Sequence, residues 1–217
     1  MTIDYAIIPV REFANSKLRL KDVISTDQRI ALAGALLQRV SIAISLSNMT
    51  RALIVASNPE EAKSRIGPIS KISLVEERIH HGGVNSAMQQ GIERAKDEGA
   101  ETITLVPSDL PFINSAKINS VLEALQRYEL IINGSERKDG TNLLSMHSSL
   151  EFILHFDDNS YVMHTREAAE QELNFLTLNY DEFALDLDDY NDLNMAMRLY
   201  GTDSLGTFLQ KVSESGI

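Results

Sequence analysis

The sequence predicts an α/β fold with a mostly parallel sheet covered by helices on both faces. Short apolar runs of strand character, residues 3–9 (IDYAIIP), 52–56 (ALIVA) and 102–106 (TITLV), alternate with longer stretches of helical period. The third run stops abruptly in Pro107-Ser108-Asp109 and a second proline, Pro111. A buried parallel strand that ends in a rigid turn and presents one carboxylate is how open α/β sheets place a ligand or a metal at their carboxyl edge.

The elements follow in order. Residues 3–9 open the sheet and lead directly into a basic loop, residues 11–21 (REFANSKLRLK), with four basic residues and one acidic one. Ser25 and Gln28 have capping-box spacing, and Ile30, Ala33, Leu37, Val40 and Ile44 then recur at helical intervals, so a long first helix follows that loop. Residues 52–56 are a buried strand, 60–66 a short helix and 72–75 a second short strand. Gly82-Gly83 breaks the chain, and Asn85 is positioned to cap a helix that runs to Glu98 and is stopped by Gly99. After the Asp109 strand, Asn114 or Ser115 caps a helix to Arg127. Residues 130–132 then enter a polar loop, 134–142 (GSERKDGTN), whose paired strand is 143–146. Helix over 160–173, strands over 176–178 and 184–187, and helix over 189–199 complete the alternation, with 201–217 as the one tail.

Composition narrows the function. The chain has 217 residues, 43% hydrophobic and 24% charged, enough to bury the core of one domain over residues 1–217. It contains no run approaching a membrane span and no signal peptide, so a soluble, cytoplasmic protein is expected. With no cysteine, disulfides, thiolate metal sites and thiol catalysis are excluded. A formal net charge of −11 argues against a broad nucleic-acid footprint, which clustered Lys and Arg would supply.

Against that acidic background the basic loop suits a small anion such as a nucleoside triphosphate, neutralised by Arg11, Lys17 and Arg19. The plain alternative is a solvated surface loop. Asp109 alone is equally compatible with a helix cap. It gains weight from residues 183–189 (FALDLDD), a predicted strand ending in which Asp186 and Asp188, two residues apart, point to one face. Three hard oxygen donors from two strand ends suit a cation such as Mg²⁺. Other features have duller readings. Adjacent His80 and His81 on a strand face opposite ways and chelate poorly, and Asp157-Asp158 before a helix is ordinary dipole chemistry. Gly82-Gly83 is first of all a turn, although backbone groups at a helix start also cradle phosphates. There is no Walker A sequence and no Rossmann glycine fingerprint.

Six ordered segments, IPVREFANSKLRL, GGVNSAM, VPSDLPFI, KDGTNLL, HFDDNSY and ALDLDDYNDL, resemble the 2-phospho-L-lactate guanylyltransferases of coenzyme F420 biosynthesis over nearly the whole chain. The resemblance implies a three-layer α/β/α nucleotidyltransferase fold of the glycosyltransferase-A-like, Rossmann-like kind that uses Mg²⁺. The substrates it implies are GTP and a three-carbon phosphorylated acid: 2-phospho-L-lactate, phosphoenolpyruvate or 3-phosphoglycerate. By the same resemblance Arg11 stands where the family usually has lysine, Lys17 and Arg19 form its basic pair, and Gly83, Asn85 and Ser108 fall on nucleotide segments. Asp109, with Asp186 and Asp188, falls on its metal carboxylates, and Thr141 and Ser160 on positions that contact the acid. The departure is Asp157, where the family commonly has glycine. Bland roles exist for the last pair, Thr141 as a turn residue and Ser160 as a helix cap. A sugar-phosphate or molybdopterin nucleotidyltransferase, a nucleotide-sugar glycosyltransferase and a non-catalytic nucleotide-binding protein are the alternatives, and a homodimer is left open.

Overall fold

The computed structural model describes residues 2–79, 82–157 and 159–199, together with Leu205, Gly206 and Leu209. His80, His81 and Asp158 lie outside the described residues. Seven strands form one sheet: β1 (Asp4–Val10), β2 (Arg51–Ala56), β3 (Ile72–Glu76), β4 (Thr102–Leu105), β5 (Leu130–Gly134), β6 (Thr141–His147) and β7 (Phe175–Leu178). Their order is β3-β2-β1-β4-β6-β5-β7. All neighbouring pairs are parallel except those of β6, which runs antiparallel to both β4 and β5. The reversal follows from the chain, because the short polar loop after β5 returns β6 directly beside it.

Seven helices accompany the strands among the described residues: α1 (Thr26–Ser45), α2 (Pro59–Ile66), α3 (Gly83–Asp97), α4 (Ser115–Ala124), α5 (Ser160–Glu170), α6 (Asp181–Ala184) and α7 (Tyr190–Leu199). Alternation along β1 explains the layering. Ala6, Ile8 and Val10 face a core built with Leu37, Val40 and Ile44 of α1, Ala62 and Ile66 of α2 and Ile118 and Val121 of α4. Tyr5 and Ile7 face the other core, with Ala87, Met88, Ile92 and Ala95 of α3 and Ala168 of α5. Gly91 lets α3 lie directly on β1, since a Cβ there would sit 2.3 Å from Ile7 Cγ2. The result is a helix, sheet, helix sandwich, as expected.

Local signals hold closely. Ser25 and Gln28 exchange both capping-box bonds, at 3.2 and 2.8 Å, and Asn114 Oδ1 accepts from the Lys117 N–H at 3.0 Å. Other expectations change. Residues 184–187 are not a sheet strand: α6 ends at Ala184 and the chain continues extended without joining the ladder. Asn85 does not cap α3, which begins two residues earlier at Gly83 after a backbone turn at Gly82. Within the predicted tail, Leu205 and Leu209 are buried, packed with Leu20, Ile24, Leu32, Leu36, Leu187, Leu193 and Ala196 in a third apolar cluster. Among the described residues no helix is long and apolar enough to cross a membrane.

Candidate active site

The third cluster draws the basic loop and the acidic segment together. Leu20 comes from the loop and Leu187 from the segment, and both are fully buried in it. The loop is two short 3₁₀ turns, Phe13–Asn15 and Leu18–Leu20, with Lys17 between them in the left-handed region (φ 54°, ψ 38°). A lysine held there costs about 1–2 kcal/mol, which the surrounding packing must offset. Arg29, buried in the first turn of α1, supplies part of that support: its guanidinium donates to the Ser16 carbonyl at 2.6 Å and to Thr26 Oγ1 at 3.1 Å.

The acidic segment runs across the strand ends. The Leu187 N–H donates to the Asp109 carbonyl at 3.2 Å, the Glu136 N–H to the Ala184 carbonyl at 2.8 Å, and Asn142 Nδ2 to the Ala184 carbonyl at 3.2 Å. Its burial alternates: Leu185 and Leu187 turn inward, while Asp186 and Asp188 remain partly open. The two carboxylates therefore share a face, as period two requires, although the segment is not part of the sheet. Asp189 and Asp192 fix the turn into α7. Asp189 Oδ1 accepts from the N–H groups of Asn191 and Asp192, while Asp192 Oδ2 accepts from those of Asp188 and Asp189.

At the centre, Lys17 Nζ donates to Asp109 Oδ2 at 2.6 Å and to Asp188 Oδ1 at 2.9 Å. Arg19, largely exposed, lies 3.8 Å from Asp188 Oδ2. Burial lowers the Lys17 pKa, but the charges of Asp109 and then Asp188 outweigh it, so the ammonium is held well above its usual range. Asp186 moves the other way. Burial, then the charges of Asp109 and Asp188, push its carboxyl up to about 6, partly opposed by a hydrogen bond from Asn142. Burial also acts to raise Asp188, yet Lys17, Arg19 and Arg11 win and its pKa is lowered.

A cation fits this donor set. Asp109 Oδ1 is buried with no hydrogen-bond partner, an arrangement that costs free energy unless a ligand satisfies it. Asp186 is a second carboxylate held in the same field. Among the described residues no three ligating side chains already converge as a finished cage, because the Lys17 ammonium stands between two of them.

Of the other sequence-predicted residues, Thr141 and Ser160 form a second group. Thr141 begins β6 at the carboxyl edge of the parallel strands, and its N–H donates to Ser160 Oγ at 2.7 Å. Both are almost fully buried. Thr141 Oγ1 is 2.9 Å from His164 Nδ1. Asn85 Nδ2 donates to Asp157 Oδ2 at 2.9 Å and Asn85 Oδ1 accepts from the Phe156 N–H at 2.8 Å, so Asn85 ties the start of α3 to the turn before α5. Asp157, just before α5, is thus held by Asn85. Gly83 has φ +80° with open space around a built Cβ, and Ser108 is a half-buried turn residue beside Asp109. Arg11 is exposed and acts on the cluster through its charge on Asp188. Sequence reasoning missed Arg29, Asn142, His164 and Asp192. Only Asp192 had a local signal, its three-residue spacing from Asp189, which is that of a capping box.

Residues 4–215 match the protein family described as guanylyl transferase CofC like. The chain belongs to that family. It is accordingly a nucleotidyltransferase. Among curated relatives, a 2-phospho-L-lactate guanylyltransferase from Methanothermobacter thermautotrophicus is 31% identical over 188 residues, 84% of this chain and 78% of its own length. A phosphoenolpyruvate guanylyltransferase from Rubrobacter xylanophilus is 28% identical over 193 residues, covering 87% and 91%. A 3-phospho-D-glycerate guanylyltransferase from Phenylobacterium zucineum is 28% identical over 190 residues, covering 86% of each. Solved structures confirm the fold. One from Desulfovibrio desulfuricans G20, described as a nucleotide-diphospho-sugar transferase, superposes with a TM-score of 0.84 at 19% identity, covering 99% of this chain and 96% of that one. A nucleotidyl transferase from the same Methanothermobacter species superposes at 0.67, with 12% identity and 97% and 100% coverage.

Proposed function

We propose that this protein transfers the GMP moiety of GTP to the phosphate of a three-carbon phospho-acid, releasing pyrophosphate, as a step of coenzyme F420 biosynthesis. The acceptor is 2-phospho-L-lactate, phosphoenolpyruvate or 3-phosphoglycerate, the acids named for the relatives. The observation that carries the reading is the Lys17 ammonium set between Asp109 and Asp188, a buried positive charge beside a carboxylate with an unsatisfied oxygen. Such a site holds a metal–triphosphate complex and its developing charge in one place.

Asp109, Asp186 and Asp188 would hold Mg²⁺ with phosphate oxygens completing the shell, as a hard cation prefers. When bound, it would neutralise the phosphates and polarise the reacting phosphoryl group. Lys17 and Arg19 grip the triphosphate and stabilise the departing pyrophosphate, and Arg11 adds charge at the mouth. Gly83, Asn85 and Ser108 line the nucleotide side, where the open backbone at Gly83 admits close approach. Thr141 and Ser160 contact the acid. The acceptor phosphate attacks the α-phosphorus in line. Being already anionic, it needs no strong general base. Positioning and charge neutralisation are what the chain must provide.

Product analysis tests this directly. Incubation with GTP, Mg²⁺ and each acid in turn should release pyrophosphate and form a guanylylated acid with at least one of the three. In a parallel incubation with a GDP-sugar, release of GDP, with no pyrophosphate formed from GTP, would identify a glycosyltransferase instead, and GTP binding with no product in either incubation would identify a binding protein.

A further inference from the structure

His164 lies on α5 and is fully buried, ringed by Phe152, Phe156 and His155 at centroid distances of 5.8, 4.8 and 5.8 Å. Its two nitrogens make different bonds. The backbone N–H of His155 points at Nε2 at 2.9 Å, and Nδ1 lies 2.9 Å from Thr141 Oγ1. A backbone N–H can only donate, so Nε2 must accept and carries no proton. The single proton of a neutral imidazole then resides on Nδ1. Burial, with the neighbouring His155, keeps the ring neutral, since it lowers the His164 pKa to about 3.

From this tautomer the direction of the next bond follows. His164 Nδ1–H donates, and Thr141 Oγ1 accepts. A hydroxyl that accepts inside the protein keeps its own proton for another acceptor. The same reasoning applies next door. The Thr141 backbone N–H donates to Ser160 Oγ, so the Ser160 hydroxyl also keeps its proton. Two N–H donors that cannot reverse thus leave two adjacent hydroxyls as donors, the polarity that an anionic oxygen requires. The opposite ring tautomer would place two donors against each other at Nε2 and would turn the Thr141 O–H to donate to Nδ1.

We propose that His164 is a positioning residue for the acceptor: held as the Nδ1–H tautomer by the His155 backbone, it fixes Thr141 Oγ1 as an internal acceptor and so directs the Thr141 hydroxyl proton to the phosphate or carboxylate of the bound acid. The proposal rests on the reading that Thr141 and Ser160 line the acceptor subsite. His164 touches neither substrate nor reacting atoms.

The test compares His164→Asn, whose Nδ2–H can occupy the place of Nδ1–H, with His164→Leu, which offers no donor, and with Thr141→Val, which removes the hydroxyl itself. His164→Leu should raise the acceptor KM about tenfold or more, the size of one hydrogen bond to a charged group, while the GTP KM moves by no more than about twofold. His164→Asn should recover most of the loss. Nitrogen-15 NMR of the wild-type ring should show a protonated Nδ1 and a bare Nε2, a signature that a merely structural histidine need not have. Outcomes separate the two claims. If Thr141→Val leaves the acceptor KM unchanged, the acceptor subsite lies elsewhere and the role of His164 falls with it. If Thr141→Val raises that KM but folded His164→Leu does not, the subsite stands and the positioning role is wrong. Should His164→Leu fail to fold, the ring spectrum decides, and a proton on Nε2 overturns the proposal.

Discussion

Lys17 pairs with two carboxylates at once, and this makes its loss different in kind from the loss of Arg19. Its side chain is 7% exposed against 76% for Arg19, so the first charge acts where solvent and salt screen it little and the second at the screened surface. Lys17→Ala should lower kcat/KM by the equivalent of about 2–4 kcal/mol, the scale for removing one preorganised stabilising group, and Arg19→Ala by distinctly less. Equal effects, read from steady-state kinetics at fixed ionic strength, would show that both act as surface charges. Asp109→Asn should abolish turnover and leave the circular dichroism spectrum unchanged, because the side chain sits at a strand end and takes no part in the core. Measurable wild-type turnover in that variant would remove Asp109 from the site. These residues were legible in the sequence because a charged side chain just past a buried strand has few places to be other than the carboxyl edge. His164 and Asn142 were not. A lone polar residue carries no period, and the partner of His164 Nδ1 lies 23 positions away along the chain.

The acidic segment shows what a period reports. Alternation over residues 183–189 was real, with Leu185 and Leu187 buried and Asp186 and Asp188 half-buried, but alternation signals an extended chain over a half-buried surface and does not say whether a ladder forms. Here the backbone bonds go to the Asp109 carbonyl and the Glu136 N–H, two strand-end groups from different elements, and this crossing places Asp188 beside Lys17 and Asp186 within the field of Asp109 and Asp188. Likewise the glycine pair correctly marked the start of α3, but Asn85 was claimed by a turn distant in sequence. The basic loop depends on α1 in the same way. Arg29 holds the Ser16 carbonyl next to left-handed Lys17, so Arg29→Met, similar in length and apolar, should leave α1 folded on its capping box while the loop loosens. Faster amide exchange confined to residues 13–20, with a GTP KM raised about tenfold, is the expected result, since the lost bond is one to a charged donor. Unchanged exchange in that stretch would mean that the Leu20 cluster alone secures the loop.

At the scale of the whole molecule, two buried groups on opposite sides of the sheet pull its stability in opposite directions with pH. His164 has a folded pKa of about 3 against an ordinary value of 6.5, so between these values the unfolded chain binds the extra proton and His164 adds stability as pH rises. Asp186, at about 6 folded against 3.8, is the reverse: from 3.8 to 6 the native state binds the extra proton and stability falls as pH rises. Across that shared window the two slopes cancel, and the surplus of the larger shift leaves a net gain of only about 2 kcal/mol between the extremes, at about 1.4 kcal/mol per unit. The lowered carboxyls of Asp188, Glu98 and Asp139 act only below about their ordinary values, 3.8 to 4.5, and so do not fill the window. Denaturant unfolding in chelator-treated buffer should therefore show nearly flat stability between about pH 4.5 and 6 for the wild type. Asp186→Asn removes one slope, so its stability should climb through that window by about 1.4 kcal/mol per unit and exceed that of the wild type above pH 6. Protein carrying His164→Leu, where it folds, should lose stability over the same range as pH rises. A steep wild-type curve would mean that one of the two groups is solvated in the native state, and the variant whose curve matches the wild type would identify which.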